Sequence, residues 1–266
     1  MIPPLPIMGE PAIAFRGVSY RAQGRVLLGP LELEVRSGET LVLLGRSGSG
    51  KTTALKLINR LLEESEGTVL VDGRPTRDWD VITLRRRIGY VIQETGLFPH
   101  YTVERNVGLV PKLLGRPQAE IQQRIDSMLR LVGLEPKEFR LRYPHQLSGG
   151  QRQRVGVARA LAGDPEILLM DEPFGALDPL SRVELQQQFL NIQKRVQKTT
   201  VLVTHDVGEA LLLANRIALL EGGKLLGVYT QSEFRESSDA TLAAYRAAWS
   251  GNLQLPGRND GHVGIS

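Results

Sequence analysis

The sequence contains no cysteine. A chain without thiols has no disulfide framework, no thiolate metal site and no cysteine nucleophile. It also has no apolar run close to the ~18 residues that a membrane-spanning helix needs. The first residues lack the basic and apolar regions of a signal peptide. From these absences we expect a protein that stays in the cytoplasm and does not itself cross the membrane.

The composition is that of a globular protein. The 266 residues are 41% hydrophobic and 23% charged, a length that suits one large or two modest domains. The 33 basic and 29 acidic residues leave a net charge of +4, which is small for this length. We interpret it as ordinary solvated surface and expect no nucleic-acid partner.

Short strand-like segments alternate with helical ones. Thr40–Leu44 is a continuous apolar run that ends in glycine, as buried strands do, and Leu31–Val35 alternates apolar and acidic residues. Gln118–Val132 instead has its apolar residues at helical spacing. Further strands are predicted at Ala12–Val18, Thr68–Val71, Ile167–Met170 and Val201–Val203, and a further helix at Lys51–Leu62. This alternation predicts an α/β core with a helical insertion.

The strand Thr40–Leu44 leads into a glycine-rich motif. The phosphate-loop pattern G-x-x-x-x-G-K-[ST] is matched by Gly45-Arg46-Ser47-Gly48-Ser49-Gly50-Lys51-Thr52, and an amphipathic helix follows. Glycines let backbone amides turn toward phosphate oxygens, and the helix N-terminus adds about half a positive charge. A glycine-rich turn without chemical meaning is the alternative, and the order strand, loop, helix disfavours it. We expect nucleotide contacts from this motif and from Thr53.

Within this motif two side chains have separate predicted roles. Lys51 is expected to bridge the β- and γ-phosphates, and the Thr52 hydroxyl to ligate Mg²⁺. A second element, Ile167–Met170 followed by Asp171 and Glu172, is an apolar strand that ends in two carboxylates. Asp171 is predicted to hold the Mg²⁺ and Glu172 to polarise the attacking water. The sequence therefore predicts hydrolysis of Mg·ATP or Mg·GTP.

A third motif, Leu147-Ser148-Gly149-Gly150-Gln151, stands shortly before this acidic strand. Ser148 and Gln151 have the spacing of a capping box that opens a helix through Leu161. The motif resembles the signature of ATP-binding cassette (ABC) proteins, although an ordinary capped helix is the alternative. The resemblance implies a P-loop NTPase fold with an antiparallel β subdomain and a helical insertion. It also implies a head-to-tail dimer, in which Ser148, Gly149, Gly150 and Gln151 meet the ATP held by the partner.

The remaining elements of the ABC pattern occur in order along the chain. Gln93 resembles the glutamine that senses Mg²⁺ and the attacking water, and His205 resembles the switch histidine that contacts the γ-phosphate. Ala176-Leu177-Asp178 resembles the loop that places Asp178 across the dimer interface. The aromatic residue that usually stacks on adenine is replaced by Ala22, and Tyr20, two residues earlier, is the substitute that we predict.

A finer resemblance concerns the transported solute. The segments Leu84–Gln93, Gly96–Val107, Val110–Gly115, Tyr143–Leu147 and Gln151–Leu161 are similar to the ATPase subunits of bacterial glycine betaine and choline importers. The family places a coupling helix of the membrane permease against the apolar residues after Gln93, here Leu97, Phe98 and Tyr101. The alternative is that these residues belong to the core of the helical insertion.

This resemblance implies a set of partners and a location. We expect permease subunits, a second copy of the chain, an indirect link to an extracytoplasmic solute-binding protein, and a peripheral position on the cytoplasmic face of the membrane. The expected organisation is a flexible N-terminus over residues 1–11, an ABC ATPase domain over 12–235 with its helical subdomain at about 94–163, and a C-terminal extension over 236–266 without a regulatory module.

Two other functions share the catalytic motifs. The same catalytic motifs would occur in the ATPase of a transporter for another solute, of an exporter or of a lipid transporter. A soluble ABC ATPase that acts on ribosomes or DNA is less favoured, because the second cassette or the long coiled coil of such proteins is absent from this sequence.

Overall fold

The computed structural model describes residues 11–93, 96–175 and 177–251. Nearly all of the predicted N-terminal segment 1–11, the end of the C-terminal extension (252–266) and Ala176 of the expected dimer-interface loop lie outside these residues. Among the described residues, no helix combines the length and apolar character needed to cross a membrane.

An antiparallel sheet forms one side of the molecule. Its strands are β1 (Ile13–Ala22), β2 (Arg25–Val35), β4 (Glu66–Val71) and β5 (Arg74–Pro75), in the order β2-β1-β4-β5. The predicted alternation in β2 is confirmed, because its apolar side chains at 31, 33 and 35 are buried while the intervening glutamates are exposed. The buried face of this sheet packs against the second sheet and the first helix.

The second sheet has six strands and is mostly parallel. Its order is β10-β9-β3-β8-β7-β6, where β3 is Thr40–Leu44, β6 Ile88–Val91, β7 Ile167–Asp171, β8 Thr199–Thr204, β9 Arg216–Glu221 and β10 Lys224–Thr230. Strands β3, β7 and β8 are buried at every residue, which is why their sequences are nearly continuous apolar runs. The carboxyl ends of these three parallel strands meet at one edge of the sheet, where ligand sites of open α/β sheets form.

Helices pack on both sides of this sheet. They are α1 (Lys51–Ile58), α2 (Val81–Arg87), α8 (Pro179–Val196), α9 (Val207–Leu213) and α10 (Gln231–Glu236). The predicted helix Lys51–Leu62 is four residues shorter in the structure, because Arg60 takes a left-handed conformation with φ of 52°. A short 3₁₀ turn, Thr76–Asp78, connects the antiparallel sheet to α2.

The helical insertion lies between β6 and β7. It contains α3 (Val103–Val107), α4 (Leu109–Leu113), α5 (Gln118–Leu131), α6 (Pro136–Phe139) and α7 (Gly149–Ala162), with a 3₁₀ turn at Pro144–Gln146. The apolar stripe predicted for α5 is buried against α7, and α7 also packs against β6. Helix α7 therefore connects the insertion to the parallel sheet.

The last helix of the described chain is α11 (Ala240–Gly251). It packs against α9, and its Leu242 is fully buried in the same core cluster as the helices around the parallel sheet. Phe234 of α10 is also fully buried in this cluster. The first part of the segment predicted as a C-terminal extension is thus packed onto the main body of the molecule.

Candidate nucleotide-binding site

The glycine-rich loop lies between β3 and α1, as its sequence predicts. Gly48 and Gly50 have φ angles of 76° and 95°, which favour glycine, and a Cβ at Gly50 would lie 2.9 Å from the Leu27 carbonyl oxygen. Among the described side chains, none caps the N-terminus of α1. The first amides of α1 therefore face the cleft without a side-chain partner, as an anion site requires.

Lys51 is buried, and its ammonium group is held by the loop itself. Its Nζ atom donates to the carbonyl oxygens of Gly45 and Arg46, each at 2.8 Å. Burial lowers the pKa of Lys51, while the carboxylates of Glu172 and Asp171 oppose this shift. The cation is thus positioned beside the loop and beside the two carboxylates.

Thr52 and Asp171 meet at the floor of the cleft. The Thr52 hydroxyl donates to Oδ1 of Asp171 at 2.9 Å. Burial raises the pKa of Asp171, while the Thr52 hydrogen bond and the charges of Lys56 and Lys51 oppose the rise, so a cation bound here would further favour the charged carboxylate. A hydroxyl and a carboxylate oxygen are hard ligands of the kind that Mg²⁺ prefers. The pair therefore fits a magnesium ion.

Glu172 follows Asp171 in a strained backbone conformation. Its φ of 44° is unusual for a residue with a side chain. The turn is held by the Glu172 amide, which donates to the Val203 carbonyl at 3.0 Å, and by the Gly175 amide, which donates to the Glu172 carbonyl at 3.2 Å. The strain directs the carboxylate away from the sheet and into the cleft.

The three predicted catalytic residues meet here, because Gln93 and His205 both approach the Glu172 carboxylate. Gln93 Nε2 donates to Oε2 of Glu172 at 3.3 Å, and His205 Nδ1 lies 3.3 Å from Oε1. These residues come from the ends of three different strands of the parallel sheet. Together with residues 45–53 they line one cleft of about 650 Å³. The fold thus brings the predicted phosphate, metal and catalytic residues into one site.

A buried glutamate that sequence patterns did not indicate supports the His205 loop. Glu209 accepts from Thr204 Oγ1 at 2.6 Å and from Gln186 Nε2 at 3.2 Å, and Thr204 Oγ1 in turn accepts from the Asp206 amide at 3.0 Å. Burial raises the pKa of Glu209. The residues on both sides of His205 are therefore tied, directly or through Thr204, to one buried carboxyl group.

The signature segment lies apart from the cleft. The predicted capping box is confirmed: the Gln151 amide donates to Ser148 Oγ at 3.2 Å, and the Ser148 amide donates to Gln151 Oε1 at 3.0 Å. Ser148 is exposed, Gly149 is half-buried and Gly150 is buried. Among the described residues that line the cleft, none belongs to this segment. The chain thus keeps its two predicted phosphate-binding elements separate.

Asp178 has a structural role in addition to its predicted one. Its carboxylate caps α8 by accepting from the Ser181 amide at 3.0 Å, and the hydrogen bonds from Ser181 lower the pKa of Asp178. A Cβ at Gly150 would lie 3.4 Å from Cβ of Ser181, so the first turns of α7 and α8 are close together. Asp178 and the signature segment therefore belong to one surface.

Tyr20 lies outside the cleft. It pairs with Leu28 in the antiparallel sheet, and its side chain packs against the core of that sheet. The cleft wall is instead completed by Leu27 of β2 and Tyr245 of α11. Adenine stacking on Tyr20 stays a prediction.

The loop after Gln93 presents aromatic side chains. We call residues 96–102 the docking loop, after the permease contact predicted for Leu97, Phe98 and Tyr101, which stays a prediction. The ring centroid of Phe98 lies 5.3 Å from that of Tyr101, and Phe98 is 41% exposed, whereas Leu97 packs partly against the core. The loop is held by the fully buried Asn106, whose Nδ2 donates to the carbonyls of Phe98 and Tyr101 at 3.2 Å each.

Helix α7 also contacts this loop. Arg159 Nη1 donates to the Gly96 carbonyl at 2.6 Å. Burial lowers the pKa of Arg159, which is half-buried, whereas Gly96 is exposed. The docking loop is therefore linked to the helix that begins at the signature segment.

A phosphate loop between a buried strand and a helix, beside a parallel strand that ends in two carboxylates, defines a P-loop nucleotide-binding α/β protein. The chain belongs to the ABC transporter family, whose model matches residues 28–175. The comparisons confirm the fold predicted from the sequence and the predicted family.

Curated relatives and a solved structure agree with this assignment. The osmoprotectant import ATP-binding protein OsmV of Salmonella typhimurium is 52% identical over 74% of this chain and 51% of its own length. The glycine betaine uptake system ATP-binding protein YehX of Escherichia coli is 50% identical over 80% of this chain and 69% of its own. The ATP-binding cassette MJ0796, a dimer bound to ADP and Pi in a post-hydrolysis state, superposes with a TM-score of 0.74, at 33% identity, over 82% of this chain and 98% of that one. The chain thus spans about half the length of OsmV.

Proposed function

We propose that this chain hydrolyses ATP and thereby powers a membrane importer for glycine betaine, choline or a related osmoprotectant. The observation that carries the ATPase proposal is the convergence of Gln93 and His205 on the Glu172 carboxylate, beside the phosphate loop. The proposal for the solute rests on the similarity to relatives that are named as osmoprotectant and glycine betaine transport proteins.

The first step is nucleotide binding. The loop residues after Arg46 wrap the phosphates with backbone amides, and Lys51 turns from the carbonyls of Gly45 and Arg46 to the β- and γ-phosphates. Thr52, Asp171 and Gln93 would hold Mg²⁺, which when bound would supply positive charge beside the phosphates. The buried position of Lys51 favours this exchange, because an ammonium in a partly desolvated site gains more from a phosphate than from a neutral carbonyl.

The second step is hydrolysis. Glu172 orients and polarises the water that attacks the γ-phosphate, as a positioned carboxylate does in general base catalysis. Gln93 donates to the Glu172 carboxylate and His205 lies 3.3 Å from it, so the two residues would help to orient this carboxylate before the nucleotide arrives. Because Glu172 takes little part in holding the phosphates, its main contribution is to the rate.

The third element is a second copy of the chain. The exposed Ser148 and the glycines beside it form an anion site that is separate from the cleft of the same chain. A head-to-tail dimer would place this segment, and Asp178 beside it, over the nucleotide of the partner. The dimeric state of the similar cassette MJ0796 supports this arrangement.

The fourth element is a permease. Leu97, Phe98 and Tyr101 of the docking loop would contact a helix of the membrane subunits. Asn106 stabilises the loop through its hydrogen bonds to the carbonyls of Phe98 and Tyr101. The chain would then lie peripherally on the cytoplasmic face of the membrane and contact an extracytoplasmic solute-binding protein only through the permease. The solute would be chosen by those other subunits.

A reconstituted transporter tests the proposal. The chain, its permease and its solute-binding protein are placed in liposomes, and ATP hydrolysis is measured together with uptake of labelled glycine betaine, choline and sulfate. We expect ATP-dependent uptake of the first two solutes and none of sulfate. Hydrolysis with uptake of sulfate alone would keep the ATPase and overturn the solute, whereas a folded chain that does not hydrolyse ATP would overturn the ATPase.

A further inference from the structure

Helix α11 is fixed against the edge of the nucleotide cleft. Leu242 is fully buried in the core, and Arg246 Nη1 and Nη2 donate to the carbonyls of Phe234 and Ser237 at 2.7 and 2.6 Å. These anchors lie on either side of Tyr245 along the helix. The position of Tyr245 is therefore set by core packing and hydrogen bonds, with no need for the cleft to be filled.

Tyr245 faces the phosphate loop. Its side chain lines the cleft together with Arg46 and Lys51. Its hydroxyl is buried and makes no hydrogen bond within the described part of the chain. Burial and the carboxylate of Glu221 raise the pKa of Tyr245, while the charge and the backbone amide of Arg46 oppose the rise. The hydroxyl thus lies beside the amide of Arg46 without a regular hydrogen bond to it.

One peptide group links this tyrosine to Lys51. The peptide between Gly45 and Arg46 contributes the Gly45 carbonyl, which accepts from Lys51 at 2.8 Å, and the Arg46 amide, which lies near Tyr245. If Lys51 turns to the phosphates, the Gly45 carbonyl loses this donor, whereas the Arg46 carbonyl still accepts from the Ser49 amide at 3.2 Å. A contact on the amide side would then help to hold the peptide between Gly45 and Arg46.

We propose that Tyr245 is a positioning residue of the nucleotide site, whose hydroxyl accepts a hydrogen bond from the Arg46 amide when nucleotide is bound. The inference rests on the proposed function, since it assumes that Lys51 exchanges carbonyls for phosphates. Helix α11 and the nucleotide then stabilise each other, because a coupling between two sites acts equally in both directions. Neither the family motifs nor the sequence pattern assigns a role in the site to α11.

The test removes one hydroxyl and compares it with another. Tyr245→Phe and the matched control Tyr229→Phe each lose a phenol oxygen from a partly buried ring that packs against the same core cluster, but only Tyr245 of these two lines the described cleft. Mg·ATP and Mg·ADP are titrated into the full-length chain. We expect Tyr245→Phe to weaken nucleotide binding about three- to tenfold, which corresponds to the loss of one hydrogen bond. Tyr229→Phe should change the affinity by less than about twofold.

Steady-state ATPase kinetics and hydrogen exchange distinguish a positioning role of Tyr245 from a general loss of structure in the variant. The KM for ATP should rise in Tyr245→Phe while kcat stays within about twofold, and the melting temperature without nucleotide should match that of Tyr229→Phe. In hydrogen exchange, Mg·ATP should protect the amides of residues 240–251 in the wild-type chain and in Tyr229→Phe. This protection should be lost in Tyr245→Phe.

The outcomes distinguish this inference from the proposed function. Normal nucleotide binding by Tyr245→Phe, equal losses in both variants, or nucleotide binding without protection of α11 would overturn the role of Tyr245 and leave the ATPase intact. A wild-type chain that binds Mg·ATP but does not hydrolyse it would overturn the proposed function while the binding comparison still decides the inference. A wild-type chain that binds no nucleotide would overturn both.

Discussion

The cleft floor and the helical insertion differ in where their polar and apolar groups find partners. Thr52 and Asp171 are hydrogen-bonded to each other and Lys51 to its own loop, all within one chain. Ser148 at the tip of α7 is exposed apart from its capping box, and Phe98 of the docking loop is 41% exposed. The cleft floor is assembled before anything binds, whereas the insertion presents surfaces that face outward.

This difference predicts whether the effect of a substitution appears in the isolated chain or only in an assembly with other chains. A change in the cleft floor or behind it should act in the isolated chain. A change at Ser148 or Phe98 should act only when another chain is present. The four predictions that follow test this division, from the largest expected effect to the smallest.

The largest effect is expected from Glu172→Gln. The amide keeps the shape of the side chain but cannot act as a base, so turnover should fall at least about 100-fold while Mg·ATP binding stays within about twofold. Steady-state hydrolysis and nucleotide titration on the same preparation measure the two quantities.

Lys51→Ala is the matched variant from the same cleft floor. It removes a phosphate-facing cation, and binding itself should weaken by about tenfold or more. A Glu172→Gln chain that hydrolyses ATP at the wild-type rate would end the assignment of Glu172, and equal binding losses in both variants would mean that the two roles are not separate.

The second prediction concerns a site shared between two chains. Lys51→Ala and Ser148→Arg should each lack ATP-dependent association on their own. Mixed, they can form a dimer with one doubly damaged site and one site made of two intact halves. Some ATP-dependent association, measured by light scattering or cross-linking, should return in the mixture. A mixture that behaves as the sum of its parts would contradict the division between the two regions.

The third prediction concerns the docking loop. Phe98→Glu should leave ATP binding and basal hydrolysis of the isolated chain unchanged but lower osmoprotectant uptake by the full transporter at least tenfold. Burying an unpaired carboxylate at a contact costs a few kcal/mol, and about 1.4 kcal/mol changes an equilibrium tenfold.

Leu113→Glu is the control for this variant, since Leu113 is an exposed apolar residue at the end of α4 in the same insertion. It should leave uptake unchanged. Uptake that survives in Phe98→Glu, or an equal loss in both variants, would return Phe98 to the alternative of an ordinary surface or core residue.

The smallest effect is expected behind the cleft, from Glu209→Gln. Because burial raises the pKa of Glu209 in the folded chain above its ordinary value, the folded state binds this proton more tightly than the unfolded state. The stability from this group is present at low pH and is lost as the pH rises through the folded pKa.

Glutamine does not titrate. The unfolding free energy of Glu209→Gln, relative to that of the wild type, should therefore increase as the pH rises above the ordinary pKa of a glutamate. We expect an increase of ~1–2 kcal/mol, the size typical of single substitutions. Urea unfolding at pH 5 and pH 8 measures the difference. Identical pH profiles would mean that Glu209 ionises in the folded chain as it does in the unfolded one.

The parts of the site that follow local sequence rules were predictable. The phosphate loop, the acidic end of β7 and the Ser148 capping box depend on residues a few positions apart, and the strand Thr40–Leu44 matches its predicted bounds. The edge where Asp171 and His205 meet follows from the parallel pairing of β7 and β8. Local patterns fix these features because glycine, capping and apolar runs act over short distances.

The parts that depend on distant contacts were not predictable in this way. Asn106 and Glu209 are buried polar residues in short helices, and their partners are visible only in three dimensions. Tyr245 reaches the cleft because α11 packs against α9, and no spacing in the sequence connects it to Arg46. Burial of a polar group is decided by tertiary packing, which a short window of sequence does not contain.

The contact between Arg159 and Gly96 ties the docking loop to α7. The helix begins at the signature segment, and Arg159 in its last turn donates a hydrogen bond to the docking loop. The ten or so residues from Gly149 to Arg159 span about 15 Å at 1.5 Å per residue. Because a helix of that length is stiff, a tilt of α7 at the signature segment would also displace the docking loop, along a route separate from the residues that line the cleft.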